Sequence, residues 1–475
     1  MKRLFTLLLI TMSLMACKNQ EKKQDKMTET ETQTLTKEMM ESAVIYEANI
    51  RQYSPEGNFD AFTKDLPELK KMGVKIIWLM PVYPISEINR KAKGDLYVHD
   101  IKDPEERKKY LGSYYAVADY TGVNPEFGTL QDLKELVQKA HELDMFIILD
   151  WVPNHTGWDN KWIKEHPEFY TKNAKGEVST VLNDEGKSIG WDDVADLDYN
   201  NPEMRKAMIE SMQFWLKEAD VDGFRCDVAG MVPMDFWQQA IPQLRATKSI
   251  FMLAEDAGAE IVRGDGMFDM IYGWDSHHLM KAIAKGEKNV YDWDNWMVEL
   301  SKKYEKDDII MNFTQNHDEN SWNGTQGESF GDAGEVMTVL SYMMPGMPLI
   351  YSGMEYDMNV RLKFFEKDLI PKTKGNYFPI YEKLGALKNT NMALNGGKNP
   401  ASYVKIITGN SEKVLAFMRE KEGKKVVFLA NLSNVPVETL VEYDGTFNDV
   451  FSGNQVVLAK GTNVKLNPWQ YYVLE

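Results

Sequence analysis

The chain has almost no cysteine: 2 residues in 475, at positions 17 and 226. A disulfide framework is thereby excluded, and the fold has to be held by its core. A hydrophobic content of 43% supplies such a core in a chain of this length. A basic excess is missing as well. The formal net charge is -17, whereas a surface that tracks phosphates needs surplus Lys and Arg, so no nucleic-acid partner is expected. Histidine is scarce, with 7 residues, and no His and Cys ligands gather at the short spacings of a zinc site. No apolar run reaches the roughly 20 residues of a membrane-spanning helix. Aromatic residues are plentiful: 11% of the chain, with 12 Trp. Most belong in a core, and the remainder are candidate platforms for a flat ligand such as a sugar ring.

Lys2 and Arg3 open the chain, and the apolar stretch Leu4–Met15 follows. It is too short for a permanent span and reads as a removed signal peptide over residues 1–16. Leu14-Met15-Ala16-Cys17 resembles the lipobox of bacterial lipoproteins, which implies cleavage before Cys17 and lipidation of its thiol. An ordinary secretory signal with an incidental Cys is the alternative. Residues 17–42 form a tether: Lys18–Ser42 is rich in Glu, Lys, Thr and Gln, without an aromatic residue. As a coil it reaches on the order of 25–30 Å. The expectation is a protein of the bacterial cell envelope, periplasmic or at the cell surface, bound to the membrane through a lipid on Cys17.

From Val44 onward, short apolar runs alternate with helical patterns such as Phe59–Met72, Leu130–Leu143 and Pro202–Ala219. The candidate strands are Val44–Arg51, Val74–Val82, Met145–Val152, Val221–Val228, Ile250–Glu255, Met267–Tyr272, Ile309–Thr314 and Leu349–Tyr351. Continuous apolar runs suit parallel strands covered on both faces. The α/β pattern predicts a (β/α)8 TIM barrel over residues 43–398, with a doubly wound open sheet as the alternative. Residues 153–201 interrupt the rhythm as an inserted loop subdomain after strand three, without a clear helix, on the face where barrel active sites lie. Residues 399–475 read as a C-terminal antiparallel β-sandwich domain, with strands at Val404–Thr408, Val414–Arg419, Lys425–Leu429, Val435–Val441 and Gln470–Leu474.

Arg225 and Asp227 share one face of their strand, with Cys226 on the other. A buried Asp beside a fixed cation is expected to stay ionised with its pKa lowered, as a nucleophile requires, although a structural ion pair would look the same. Glu255 ends the next apolar run, and Asp318 lies two βα units further on. Acidic residues at the ends of strands four, five and seven converge over one mouth. His155 and His317 each follow an Asn at a strand end, in Asn154-His155 and Asn316-His317.

These segments resemble the signature regions of the α-amylase family, glycoside hydrolase family 13: Asp150–His155, Gly223–Asp227, Glu255 and Asn316–Asp318. Leu111-Gly-Ser-Tyr-Tyr-Ala-Val-Ala-Asp-Tyr, Val123–Thr129 and Asp196-Leu-Asp198 are similar as well. The resemblance implies that Asp227 is the nucleophile of a retaining glycosidase and Glu255 its general acid/base. It implies that Asp318, His155 and His317 bind sugar hydroxyls, that Arg225 holds Asp227, and that Tyr115 stacks beneath the ring being cleaved. It also implies structural Ca²⁺ near Asn154 and Asp196, and no organic cofactor. The substrate expected is a starch-like α-glucan or maltooligosaccharide. A transglycosylase or isomerase of the same family is the alternative, and a non-catalytic glycan-binding lipoprotein lies further off. One departure stands out: Gly230-Met231 follows Asp227 where many amylases carry Lys-His, removing a cation from the aglycone side.

Overall fold

A computed structural model describes residues 35–475 except 95 and 265. Residues 1–34, with the expected signal peptide, Cys17 and most of the expected tether, lie outside the described residues. Eight parallel strands close into a barrel: β1 (Val44–Ala48), β2 (Val74–Leu79), β3 (Phe146–Trp151), β4 (Gly223–Cys226), β5 (Phe251–Ala254), β6 (Met270–Tyr272), β7 (Ile309–Asn312) and β8 (Met347–Tyr351). The strands follow one another around the barrel in chain order, and β8 closes on β1.

The two-residue period of a strand divides the core into two shells. Ile45, Ile76, Trp78, Ile148, Leu253, Met270, Met311 and Leu349 fill the barrel interior. Their neighbours Tyr46, Ile77, Ile147, Met252 and Ile350 pack outward under the helices. This is why the strands read as continuous apolar runs. The same parity places Glu47, Asp150 and Arg225 inward at the C-terminal ends of their strands, one step above the apolar fill. Gly223 allows β4 to approach β5: a Cβ there would meet the Phe251 carbonyl oxygen at 1.9 Å.

Three expectations differ from the structure. The helical pattern Phe59–Met72 is two short helices, Phe59–Thr63 and Leu66–Lys71, the second started by Pro67 in its first turn. The inserted segment contains a helix, Lys161–Glu165, and a two-stranded ribbon, His155–Gly157 against Val194–Asp196. The tether does not run to residue 42. Lys37–Glu41 is helical, and Leu35 and Met40 are buried in the shell that fills the barrel. The Glu41 carboxylate accepts the N–H groups of Gly397 (3.0 Å) and Asn399 (2.6 Å). Two apolar side chains suffice here because the open lower end of the barrel offers them a ready-made cavity.

The C-terminal region is antiparallel throughout. Ser402–Lys405, Val414–Lys421, Lys424–Asn431 and Tyr471–Leu474 form a four-stranded sheet. Val437–Val441 pairs with Thr462–Leu466, and Gly445–Asn448 with Gln455–Leu458. Arg419, fully buried, links this sheet to the barrel by donating to the carbonyls of Met343 and Asn395, both at 2.9 Å.

Candidate active site

Arg225 is the hub of the barrel mouth. Its side chain is completely buried, with its guanidinium 4.8 Å from the Trp78 ring centre. Nη1 lies 2.8 Å from Asp150 Oδ1 and 3.0 Å from Asp227 Oδ1, and Nη2 lies 2.9 Å from Glu255 Oε2. Nε donates to the Tyr272 hydroxyl at 3.1 Å. One cation thus serves three carboxylates. Asp150 is fully satisfied, because its Oδ2 accepts the Tyr115 hydroxyl (3.0 Å) and the Trp78 indole N–H (3.1 Å).

This sharing overturns the expectation of a lowered Asp227. Burial, and then the negative charge of Glu255, raise Asp227 well above the carboxylate range, and Arg225 only partly opposes them. Burial also pushes Glu255 up, but the Arg225 guanidinium and the Val228 N–H, 2.8 Å from its Oε2, outweigh that and leave it lowered. Because both carboxylates lie against the same guanidinium, they titrate as a pair. The Val228 N–H reaches Glu255 from a strained backbone: this β-branched residue sits in the left-handed region at φ 38°.

On the opposite wall, His317 Nδ1 is 2.5 Å from Glu47 Oε1, and Nε2 is 2.8 Å from the Tyr115 hydroxyl and 3.4 Å from Asp318 Oδ2. Burial disfavours the imidazolium, but the charges of Asp318 and Glu47 more than compensate and raise its pKa to about 9. At neutral pH His317 therefore donates from both nitrogens, to Glu47 and to the Tyr115 oxygen. Tyr115 stacks on His317 with 5.5 Å between centroids. Asp318 keeps 36% of its side chain exposed and faces the opening. His155, buried and pushed down to about 4, is neutral and hydrogen-bonds the main chain of Tyr115. The structure therefore brings Asp227, Glu255, Asp318, Arg225, Tyr115, His155 and His317 into one network. Sequence reasoning missed Glu47, Trp78 and Tyr272, and assigned no role to Asp150. The available signal was a charge, Glu47 or Asp150, inside an otherwise apolar strand.

Asn154 and Asp196 are near neighbours in the ribbon, where the Leu197 N–H donates to the Asn154 carbonyl at 3.1 Å. Burial lifts Asp196 to about 6, and its Oδ2 accepts the Thr171 hydroxyl at 2.9 Å. The Asn154 amide donates to His155 Nδ1 at 3.3 Å. Among the described residues no three His, Cys, Asp or Glu side chains converge on a point that would hold a metal. Two side-chain donors fall short of the six or more oxygens Ca²⁺ takes, and no step below depends on a metal.

At Gly230, flagged by the sequence, a Cβ would meet the Asp256 carboxylate, with Oδ2 at 1.8 Å, so a side chain there requires Asp256 to turn aside. Beside it lies a cavity of about 230 Å³ whose charged lining residues are Asp256 and Glu260. Where the family resemblance implies a cation, the nearest charged group is the Asp256 carboxylate.

A closed parallel barrel with buried, cation-bridged carboxylates at its C-terminal mouth has the arrangement of a barrel enzyme's active site. Comparison with known proteins narrows this. A model of the α-amylase catalytic domain matches residues 19–179 and 188–376, and one of the maltogenic amylase C-terminal domain matches residues 405–473. The chain belongs to the α-amylase family and is a glycoside hydrolase. It is 23% identical over 429 residues to the α-amylase MalA of Haloarcula japonica, covering 87% of this chain and 58% of that one. It is 23% identical over 403 residues to an α-1,4-glucan:maltose-1-phosphate maltosyltransferase of Picrophilus torridus, covering 81% of this chain and 60% of that one. The chain thus spans about three fifths of the length of these two relatives. The crystal structure of a noncanonic maltogenic α-amylase, AmyB of Thermotoga neapolitana, superposes with a TM-score of 0.79 at 26% identity, covering 92% of this chain and 98% of that one.

Proposed function

We propose that the enzyme cleaves α-glucosidic bonds of starch-like α-glucans or maltooligosaccharides with retention, through a glycosyl ester on Asp227. The observation that carries this reading is the pair of carboxylates Asp227 and Glu255, held at 3.0 Å and 2.9 Å by the two terminal nitrogens of one guanidinium. Inverting glycosidases hold their two carboxyls about 6.5–9.5 Å apart to admit a water between them, whereas two carboxyls gathered on one guanidinium suit the spacing of about 5–5.5 Å that retaining enzymes use.

A substrate seats its glycosidic oxygen against a protonated Glu255, with Asp227 as the anion. Asp227 then attacks the anomeric carbon as the glycosidic bond breaks, and Glu255 protonates the departing oxygen. In the second half, Glu255 takes a proton from water, whose oxygen displaces Asp227 from the anomeric carbon. Asp318 hydrogen-bonds hydroxyls of the glycone, and Tyr115, held in place by the His317 imidazolium, supports its ring. The acidic lining at Asp256 and Glu260 favours neutral aglycones over phosphorylated ones.

The test is a panel of starch, pullulan, maltooligosaccharides, isomaltose, trehalose and sucrose, with products sized and the first anomer assigned by NMR. An α-configured first product is expected, and a β-configured one would rule out Asp227 as nucleophile. Asp227→Asn and Glu255→Gln are each expected to cost about 10³-fold or more in kcat. The maltosyltransferase relative supports one second reading, transfer to a sugar hydroxyl in place of water. Products longer than a single starting oligosaccharide would favour it.

Anchoring is part of the proposal and rests on Leu14-Met15-Ala16-Cys17 alone. Cys17→Ser is expected to move the enzyme from the membrane to the soluble envelope fraction and to abolish labelling by a fatty-acid probe.

A further inference from the structure

Among the described residues, Trp322 is the one Trp in the exposed class, at 52%. It sits just past Asp318 in the π-helical turn Glu319–Asn323, an irregularity that favours functional sites. Its ring centre lies 5.2 Å from that of Phe364 and 5.9 Å from that of Phe365. Phe364 in turn lies nearly parallel to Tyr115, 6.2 Å away with 13° between planes. Tyr115, Phe364 and Trp322 therefore form an aromatic run from the reaction centre to solvent. Leaving half of an indole in water forfeits hydrophobic free energy that burial would supply. The arrangement gains when a ligand with an apolar face covers the ring, and the C–H face of a glucose ring is such a surface.

The platform is also held in place. The Asn320 amide donates to the Val360 carbonyl at 3.0 Å and accepts the Leu362 N–H at 2.9 Å, and the Ser321 hydroxyl donates to the Leu362 carbonyl at 2.9 Å. These bonds tie the turn to the segment that carries Phe364, so little ordering remains for binding to drive. Its direction follows from the barrel. Trp322 and Phe364 rise after β7 and β8, which adjoin β1, whereas Asp227 and Glu255 rise from β4 and β5 across the mouth. The aromatic run leaves the centre on the side away from the general acid, where the glycone chain extends.

We propose that Trp322 is a sugar-stacking platform for a glucose unit of the glycone beyond the one over Tyr115, and that it sets how strongly kcat/KM rises with chain length. This rests on the α-glucan reading above. It is tested with nitrophenyl α-glycosides running from glucoside to maltopentaoside, in which the aglycone is constant and only the glycone grows. Release of nitrophenol is measured for wild type, Trp322→Ala and Trp322→Phe, with melting curves for each. The expected result is that Trp322→Ala lowers the ratio of kcat/KM on the maltopentaoside to that on the glucoside by roughly tenfold, the scale of one aromatic stacking contact. Trp322→Phe restores most of that ratio. A Trp322→Ala enzyme with an unchanged ratio, whether uniformly slower or fully active, overturns the proposal, since Trp322 then only supports the Asp318 turn or does nothing.

A second measurement stands apart from turnover. In the Glu255→Gln background, maltopentaose is expected to change tryptophan fluorescence, and the Glu255→Gln/Trp322→Ala double variant is expected to lose that change and bind about tenfold more weakly by calorimetry. If wild type cleaves none of the glycosides, the function proposed above fails, and this titration alone decides the platform. Equal binding by both variants overturns it.

Discussion

The pairing of His317 with Glu47 gives a pH dependence whose sign and size can be worked out. His317 is buried between the Glu47 carboxylate, the Asp318 carboxylate and the Tyr115 hydroxyl, with Arg225 opposing, and its pKa is raised from 6.5 to about 9. A folded value above the unfolded one means that the stabilisation is complete below about pH 6.5 and is lost as pH rises through about 9. The full difference is worth about 3 kcal/mol. Glu47 and Asp318 share it, so Glu47→Gln is expected to remove about 1–2 kcal/mol at about pH 6 and much less at about pH 10. Urea denaturation of both proteins across this range measures it, and the difference between the two curves reports the Glu47–His317 pair, in which burial raises Glu47 and His317 opposes that. The basic limb of the wild-type kcat/KM profile is expected near the folded His317 value, and the variant's limb at lower pH. The reasoning fails if Glu47→Gln costs the same at both ends of the range, or if the basic limb does not move.

Three further outcomes follow from particular contacts. Gly230→Ala drives a Cβ into the Asp256 carboxylate, so it is expected to lower activity at least tenfold by displacing the neighbouring Glu255; adding Asp256→Ala should recover most of it, and absence of recovery would show that the backbone at Gly230 is at fault. Arg419→Met strands buried carbonyls of the barrel and the C-terminal sheet, and is expected to cost about 3 kcal/mol or more in urea denaturation; a cost below about 1 kcal/mol would mean that the link is dispensable. EDTA is expected to leave the melting temperature unchanged, because Asn154 and Asp196 are too few donors for calcium; a fall reversed by added Ca²⁺ would show that main-chain oxygens complete a site there.

Much of the site was legible because a (β/α)8 barrel converts sequence period into position. Acidic residues at the ends of successive apolar runs have to meet over one mouth, and Asp227, Glu255 and Asp318 do so without any knowledge of side-chain contacts. Glu47 was not legible in this way. A lone acid in Val44–Ala48 could have been an edge ion pair, and nothing local names His317, far along the chain, as its partner. The same limit hid the docking of Leu35 and Met40, whose neighbourhood is too polar to order itself and becomes ordered only against a cavity built by other segments.

What the sequence alone determined is therefore the barrel, the identity of its carboxylates and the absence of a cation after Asp227, since each follows from residue type and spacing. Only the tertiary structure decided how charge is distributed among those groups. Spacing pairs Arg225 with Asp227. Closure of the barrel makes Asp150 and Glu255 compete with Asp227 for the same guanidinium. A pKa is set by every charge within a few ångströms, whichever strand it comes from, and that neighbourhood exists only once the barrel has closed.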